Sequence, residues 1–126
     1  MEKNQLITNF WSDIAAQNAV ALKEYFHPDA YVRWNNTKEQ FTVDEFLVAN
    51  CEYPGNWQGE VERIELTGDL AISVTRVWVA DNSASFHVTS FFEFCYDKIT
   101  ALNEYWGEDG TAPQWRLEKH IGEPIK

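Results

Sequence analysis

Apolar positions near the start of the chain recur with a helical period, and those from Trp57 onward alternate, so a helical front precedes a β-rich body. Leu6, Ile7, Phe10, Trp11 and Ile14 mark the buried face of a first helix. Asn18 caps or breaks it. A second short helix follows with Val20, Leu22, Tyr25 and Phe26 as its apolar side, and the turn His27-Pro28-Asp29 stops it. Tyr31 to Asn35 is β-prone and leads into an irregular hairpin, because Asn35-Asn36-Thr37-Lys38 is turn chemistry. Thr42-Val43-Asp44-Glu45 is a capping box, with Phe41 and Phe46 placed as a hydrophobic staple across it. A third helix therefore starts there and ends near Tyr53-Pro54-Gly55.

Glu60 to Thr67, Leu70 to Ala80, Phe86 to Tyr96 and Ile99 to Trp106 are rich in β-branched and aromatic residues. Gly68-Asp69, Asp81-Asn82-Ser83 and Asp97-Lys98 separate them and are short enough for hairpins, which predicts long antiparallel strands in meander order. Both alternating faces of Phe86 to Tyr96 carry large apolar groups, so one face packs on the helices and the other on a partner. Glu108 to Lys126 holds Trp115 and Ile121 among Pro113, Gly122 and Pro124 without a sustained period. It is expected as an ordered extension lying across a neighbouring surface, residues 108–126 of a single domain spanning 1–126.

The aromatic fraction of 15%, with six Trp, eight Phe and five Tyr, exceeds what core filling alone demands and points to a cavity or an oligomer interface. A net charge of −10 repels phosphate backbones and anionic membranes, and Lys and Arg are scattered singly, so neither nucleic acid nor a membrane surface is an expected partner. No apolar signal core follows Met1 and no stretch reaches membrane-spanning length, which predicts a cytoplasmic protein. Cys51 and Cys95 lack CxxC spacing and are expected as reduced, mostly buried thiols. His27, His87 and His120 share no face, so no metal is expected. The absence of a G-x-S-x-G, a P-loop or a dinucleotide fingerprint leaves no expected cofactor.

Tyr25-Phe26-His27-Pro28-Asp29-Ala30 before the first strand, and Lys98-Ile99 with Glu104-Tyr105-Trp106-Gly107 at the end of the last, resemble the nuclear transport factor 2-like superfamily, its SnoaL-like members most. The segment Glu108 to Arg116 resembles the tail of an uncharacterised SnoaL-like branch. The resemblance covers roughly the whole chain in element order. It implies an α+β cone: a curved antiparallel sheet wrapped around three N-terminal helices, a pocket open at the wide end, and a convex face that commonly forms a homodimer. Such proteins include ketosteroid isomerases, limonene epoxide hydrolases, scytalone dehydratases, polyketide cyclases and non-catalytic binding proteins, so function must come from the residues.

Alignment of the end motif with the steroid isomerases, together with strand alternation, turns Leu102, Glu104 and Trp106 inward, and likewise Phe86, Val88, Ser90 and Phe92. The same alignment puts Phe10 where those enzymes carry a catalytic tyrosine, Trp34 at their general base and Ser90 at their oxyanion-hole acid. With all three replaced, proton transfer beside a carbonyl has no machinery. The epoxide hydrolases couple an Arg to two carboxylates; Arg76 and Glu104 reproduce one such pair, while Trp78 replaces the other acid. A buried Arg76 would hold Glu104 ionised as a base or a polar anchor. Alternatively the two merely satisfy each other, or a one-residue shift puts Arg76 outside near Glu93. His87 falls on the convex face with Thr89 and Phe91, as a dimer contact.

Trp34, Trp78 and Trp106, with Tyr53 at the mouth, form a candidate aromatic wall for a small apolar or aromatic ligand, with Phe10, Val88 and Ser90 also on the pocket. The expected function is binding of such a molecule. The alternatives are a lyase, isomerase or hydrolase using Glu104 with Arg76, and a structural dimerisation module whose pocket is closed.

Overall fold

The computed structural model describes residues 1–125; Lys126, the end of the expected extension, lies outside the described residues. Helix α1 (Lys3–Ala16) buries Leu6, Ile7, Phe10, Trp11 and Ile14, the spacing that puts them on one stripe. It ends at Gln17, whose left-handed backbone closes the last turn. Helix α2 (Ala19–Glu24) is capped by Asn18, whose side chain accepts from the Ala21 N–H at 3.2 Å.

Strand β1 (Phe26–Trp34) begins directly after α2, so Phe26 and the His27-Pro28-Asp29 turn belong to the strand rather than to a helix end and a loop. Its register with the last strand breaks between Phe26 and Tyr31, so Pro28 sits where no ladder bond needs its missing N–H. Strand β2 (Glu39–Thr42) completes the hairpin, pairing Trp34 with Glu39 and Tyr31 with Thr42. Helix α3 (Val43–Cys51) opens with the capping box intact: Thr42 Oγ1 accepts from the Glu45 N–H at 3.2 Å, and Glu45 Oε1 accepts from the Thr42 N–H at 2.9 Å.

Strands β3 (Trp57–Thr67), β4 (Leu70–Val79), β5 (Ser85–Cys95) and β6 (Lys98–Glu108) form the antiparallel meander. The full order is β2-β1-β6-β5-β4-β3, and β1 joins β6 in parallel, so the sheet is mixed at one seam. Irregularities between Val61 and Arg63 and between Glu93 and Phe94 accompany its curvature. With β2 and β3 as edges the cone stays unclosed. Helix α1 lies against β3 and β4, and α3 against β1, on the concave side. Phe10 is the hub of that packing, meeting Trp11, Tyr25, Phe26 and Phe92 edge to face.

Beyond β6, residues 114–118 form a short helix, α4 (Gln114–Glu118), where no period was expected. Trp115, Leu117 and Ile121 are exposed, so this extension packs no apolar side chain of that set into the core. Cys51 is half-buried and Cys95 is exposed, which corrects the expectation of two mostly buried thiols; Cys95 ends β5 pointing outward. No helix among the described residues is long and apolar enough to cross a membrane.

Candidate ligand pocket

Three adjacent strands place the central group by register alone. Glu104 on β6 lies opposite Trp34 on β1 and opposite Ser90 on β5, so all three side chains leave the sheet on the same level of its concave face. Trp34 Nε1 donates to Glu104 Oε1 at 3.1 Å, and Ser90 Oγ donates to Oε2 at 2.6 Å. Only 1% of Glu104 is exposed. Trp106 Nε1 is a further donor beside this carboxylate, close enough to favour its charge, yet it completes no hydrogen bond and is buried without a partner. Burial pushes the Glu104 carboxyl up from 4.5 to about 7, against the Ser90, Trp34 and Trp106 donors, which favour ionisation.

In front of the two indoles is a cavity of about 320 Å³. Its wall is a chain of rings in contact: Tyr53 with Trp57 at 5.4 Å between centroids, Trp57 with Phe86 at 6.2 Å, Phe86 with Trp106 at 6.1 Å, and Trp106 with Trp34 at 6.4 Å. Ile14, Ala49 and Val77 complete the apolar lining. Three polar residues at the same cavity, Gln17, Asn36 and Thr37, each bond the scaffold through one side-chain atom. Gln17 Nε2 donates to the carbonyls of Asn50 and Tyr53 at 3.0 and 2.6 Å, tying the end of α1 to the end of α3. Asn36 Oδ1 accepts from the Trp106 backbone N–H at 2.6 Å, and Thr37 Oγ1 donates to the Trp34 carbonyl at 3.4 Å. Wider, shallower depressions lie between α1 and β3 and on the convex face near Phe91 and Tyr105; neither encloses a ring of aromatic side chains.

The expected site residues therefore separate into three groups. Trp34, Tyr53 and Trp106 are on the cavity wall, and Tyr53 is exposed there. Glu104 and Ser90 lie behind the wall, while Phe10 and Val88 are fully buried in the core and do not line the cavity. Arg76 and Trp78 are on the opposite side of the sheet, which corrects both assignments. Arg76 lies across from His87, its Nε donates to Ser85 Oγ at 3.3 Å, and its guanidinium sits 4.3 Å from the Trp78 ring centroid. It is neither the charge partner of Glu104 nor a neighbour of Glu93, which pairs with Leu70 and Ala101.

The cause is the inner face of β4, made of Ala71, Ser73, Thr75 and Val77. These residues are small because α1 lies over them, with Trp11 Nε1 donating to Ser73 Oγ at 3.2 Å. Bulk on β4 is forced outward, against the usual expectation that the larger side chains face the core. Two further wall residues, Phe86 and Trp57, lie outside the expected ligand-binding set. Phe86 was placed inward by alternation, and Trp57, just after the Pro54-Gly55 break, signals its place only through its proximity to Tyr53.

An incomplete sheet cone packed by helices on its concave side, with an apolar chamber among them, is the architecture of the nuclear transport factor 2-like proteins, and the chain has that fold. It is similar to a proposed ketosteroid isomerase from Kribbella flavida, with a TM-score of 0.79 at 20% identity over 97% of this chain and 88% of that one. It is also similar to a nuclear transport factor 2-like protein of unknown function from Burkholderia xenovorans, with a TM-score of 0.78 at 22% identity over 98% and 94%. A proposed SnoaL-like polyketide cyclase from Shewanella denitrificans superposes with a TM-score of 0.69 at 11% identity over 82% and 89%. No protein-family model and no curated protein matches the chain.

Proposed function

We propose that the protein binds a small, largely apolar molecule in the aromatic chamber. The unbroken contact from Tyr53 through Trp57, Phe86 and Trp106 to Trp34 around about 320 Å³ carries this reading. That volume is at the small end of ligand pockets, and such sites take most of their affinity from apolar contact with few polar groups. Gln17, Asn36 and Thr37 each bond backbone through one side-chain atom, so few polar groups are left for a ligand and one rich in hydrogen-bonding groups would leave many unmatched.

Catalysis through Glu104 gains no support from this arrangement. A general base must reach the proton it takes. This carboxylate is sealed behind two indoles and held by Trp34 and Ser90, with Arg76 on the other face of the sheet.

The convex face is the proposed surface for a homodimer. Ile72, Val74 and Phe91 are half-buried and Tyr105 is exposed on adjacent outward positions, with Phe91 against Tyr105 at 5.9 Å. A cytoplasmic location is part of the same proposal.

A thermal-shift screen against apolar and aromatic metabolites tests the chamber. At least one compound should raise the melting temperature of the wild type and lose its effect in Trp106→Leu. If no compound shifts the wild type, the structural-module reading takes its place.

A further inference from the structure

We propose that the chamber receives an organic cation, a small quaternary alkylammonium, with Glu104 as the counter-charge behind its aromatic wall. This rests on the ligand-binding reading above and names the class of ligand.

The argument starts from what Glu104 lacks. Among the described residues no Lys, Arg or His pairs with or donates to its carboxylate. Arg33 turns to Gln40 and Tyr31, and Arg76 to Ser85 and Trp78. Wholly buried carboxylates are uncommon unless a cation or metal compensates them. Glutamine would satisfy Trp34 and Ser90 without that cost, since its oxygen can accept from the indole and its amide can donate to the hydroxyl. The carboxylate is thus in excess of what the scaffold needs, and it lies directly behind Trp34, an indole that lines the cavity.

The donors around it also favour the charged form. Both indoles can only donate, so Trp34 and Trp106 have nothing to accept from a protonated carboxyl. Trp106 Nε1 is still without a partner, and a fully ionised Glu104 is the acceptor beside it. Burial keeps this carboxyl near 7, so a cation entering in front of the indoles would draw out its proton.

The wall supplies the rest. Tryptophan is the strongest cation–π partner among side chains, and Trp34, Trp57 and Trp106 are joined here by Tyr53 and Phe86. Neighbouring rings stand at 73° for Trp34 with Trp106 and at 82° for Phe86 with Trp106, edge-to-face contacts that hold the wall rigid around the space it lines. With indole N–H groups directed at Glu104, the carbon framework of the two rings is what remains for a ligand. A fully alkylated ammonium needs no hydrogen-bond acceptor, which suits a chamber where Gln17, Asn36 and Thr37 already bond backbone. A net charge of −10 favours the approach of cations to the protein as a whole.

The test uses choline and its neutral isostere 3,3-dimethylbutan-1-ol, titrated at pH 8 against wild type and Glu104→Gln, with tryptophan fluorescence and calorimetry as readouts. Choline should bind the wild type at least tenfold more tightly than the alcohol. In Glu104→Gln the two should differ by less than threefold, with binding of the alcohol retained as proof of an intact chamber. Equal or tighter binding of the alcohol by wild type overturns the cation proposal and leaves the apolar-ligand reading standing. A choline preference that survives undiminished in Glu104→Gln overturns the counter-charge. If choline and the alcohol both fail while another apolar compound stabilises the protein, the cation proposal falls alone. If nothing binds, both readings fall.

Discussion

Two carboxylates five positions apart, Glu104 within β6 and Asp109 just past its end, occupy opposite faces of one sheet and meet opposite fates. Each accepts a short bond from a serine on β5: Ser90 reaches Glu104 at 2.6 Å, and Ser85 reaches Asp109 at 2.5 Å. On the outer face burial is the largest single influence on Asp109, but the Ser85 and His87 hydrogen bonds and the charges of His87 and Arg76 together outweigh it, so Asp109 lies below its usual range. On the inner face burial dominates and lifts Glu104 to about 7. Hydrogen-bond donors are present on both sides. The difference is that the cations are outside: His87 Nδ1 lies 2.5 Å from Asp109 Oδ1 and its Nε2 3.2 Å from Glu62 Oε2, with Arg76 beyond Ser85. Donors alone do not offset the burial of a charge; an opposite charge on the same side of the sheet does.

The most severe test of that contrast is Glu104→Gln. The folded carboxyl holds its proton up to about pH 7, whereas an unfolded one releases it near 4.5. Below 4.5 both states are protonated and nothing is gained or lost. Between 4.5 and 7 the folded state binds the extra proton, so stability falls as pH rises, and above 7 the full loss persists. At roughly 1.4 kcal/mol per tenfold change, that loss is about 3 kcal/mol. Glu104→Gln removes it. Urea denaturation should find the variant more stable than wild type by up to about 3 kcal/mol at pH 8, with the gap closing toward pH 4.5. A gap that does not change with pH would mean that Glu104 is not buried as an uncompensated acid.

How much of this contrast can be read in the amino-acid order depends on which side of each strand is considered. The period-2 pattern of Leu102, Glu104 and Trp106 is local, and it places the acid inside. The Thr42 capping box and the apolar stripe of α1 are local too. Arg76 is not legible in this way, because the inner face of β4 is set by α1 lying over Ser73 and Thr75, a contact between distant parts of the chain. For the same reason the pairing of Trp34 with Glu104 escapes notice: it needs the parallel seam between β1 and β6, and nothing near either residue encodes a partner about seventy positions away. The His87 cluster draws Glu62, His87 and Asp109 from β3, β5 and the segment after β6, so it too emerges only once the register exists.

A smaller effect is expected where the outer face is apolar. If a second copy covers Ile72, Val74 and Phe91, wild type should sediment at micromolar concentration as a dimer, and Phe91→Glu should shift it to monomer. Leaving one protonated, unpaired carboxyl per subunit at such an interface costs on the order of 1–3 kcal/mol. A wild-type monomer would contradict the outer-face contact while leaving the inner chamber untouched.

The least effect should come from His87→Gln, and its size separates the two faces most cleanly. The Asp109 hydrogen bond raises the His87 pKa, burial opposes it, and the Glu62 hydrogen bond and the two carboxylate charges add to the rise, which prevails. A base favoured in its charged form contributes stability that is fully present below its ordinary value of 6.5 and is lost as pH climbs through the higher folded value. The side chain is 43% exposed, so solvent screens the interaction and the contribution should be no more than about 0.5 kcal/mol. His87→Gln should therefore be slightly less stable than wild type at pH 6 and low salt, and the difference should vanish by pH 9 or in 1 M salt. The direction is the same as for Glu104, since both folded pKa values are raised, but the cause is reversed: His87 gains a charge that its neighbours welcome, and Glu104 keeps a proton for want of one. A loss above about 2 kcal/mol that persists at pH 9 would show that His87 supports the sheet through packing rather than through charge.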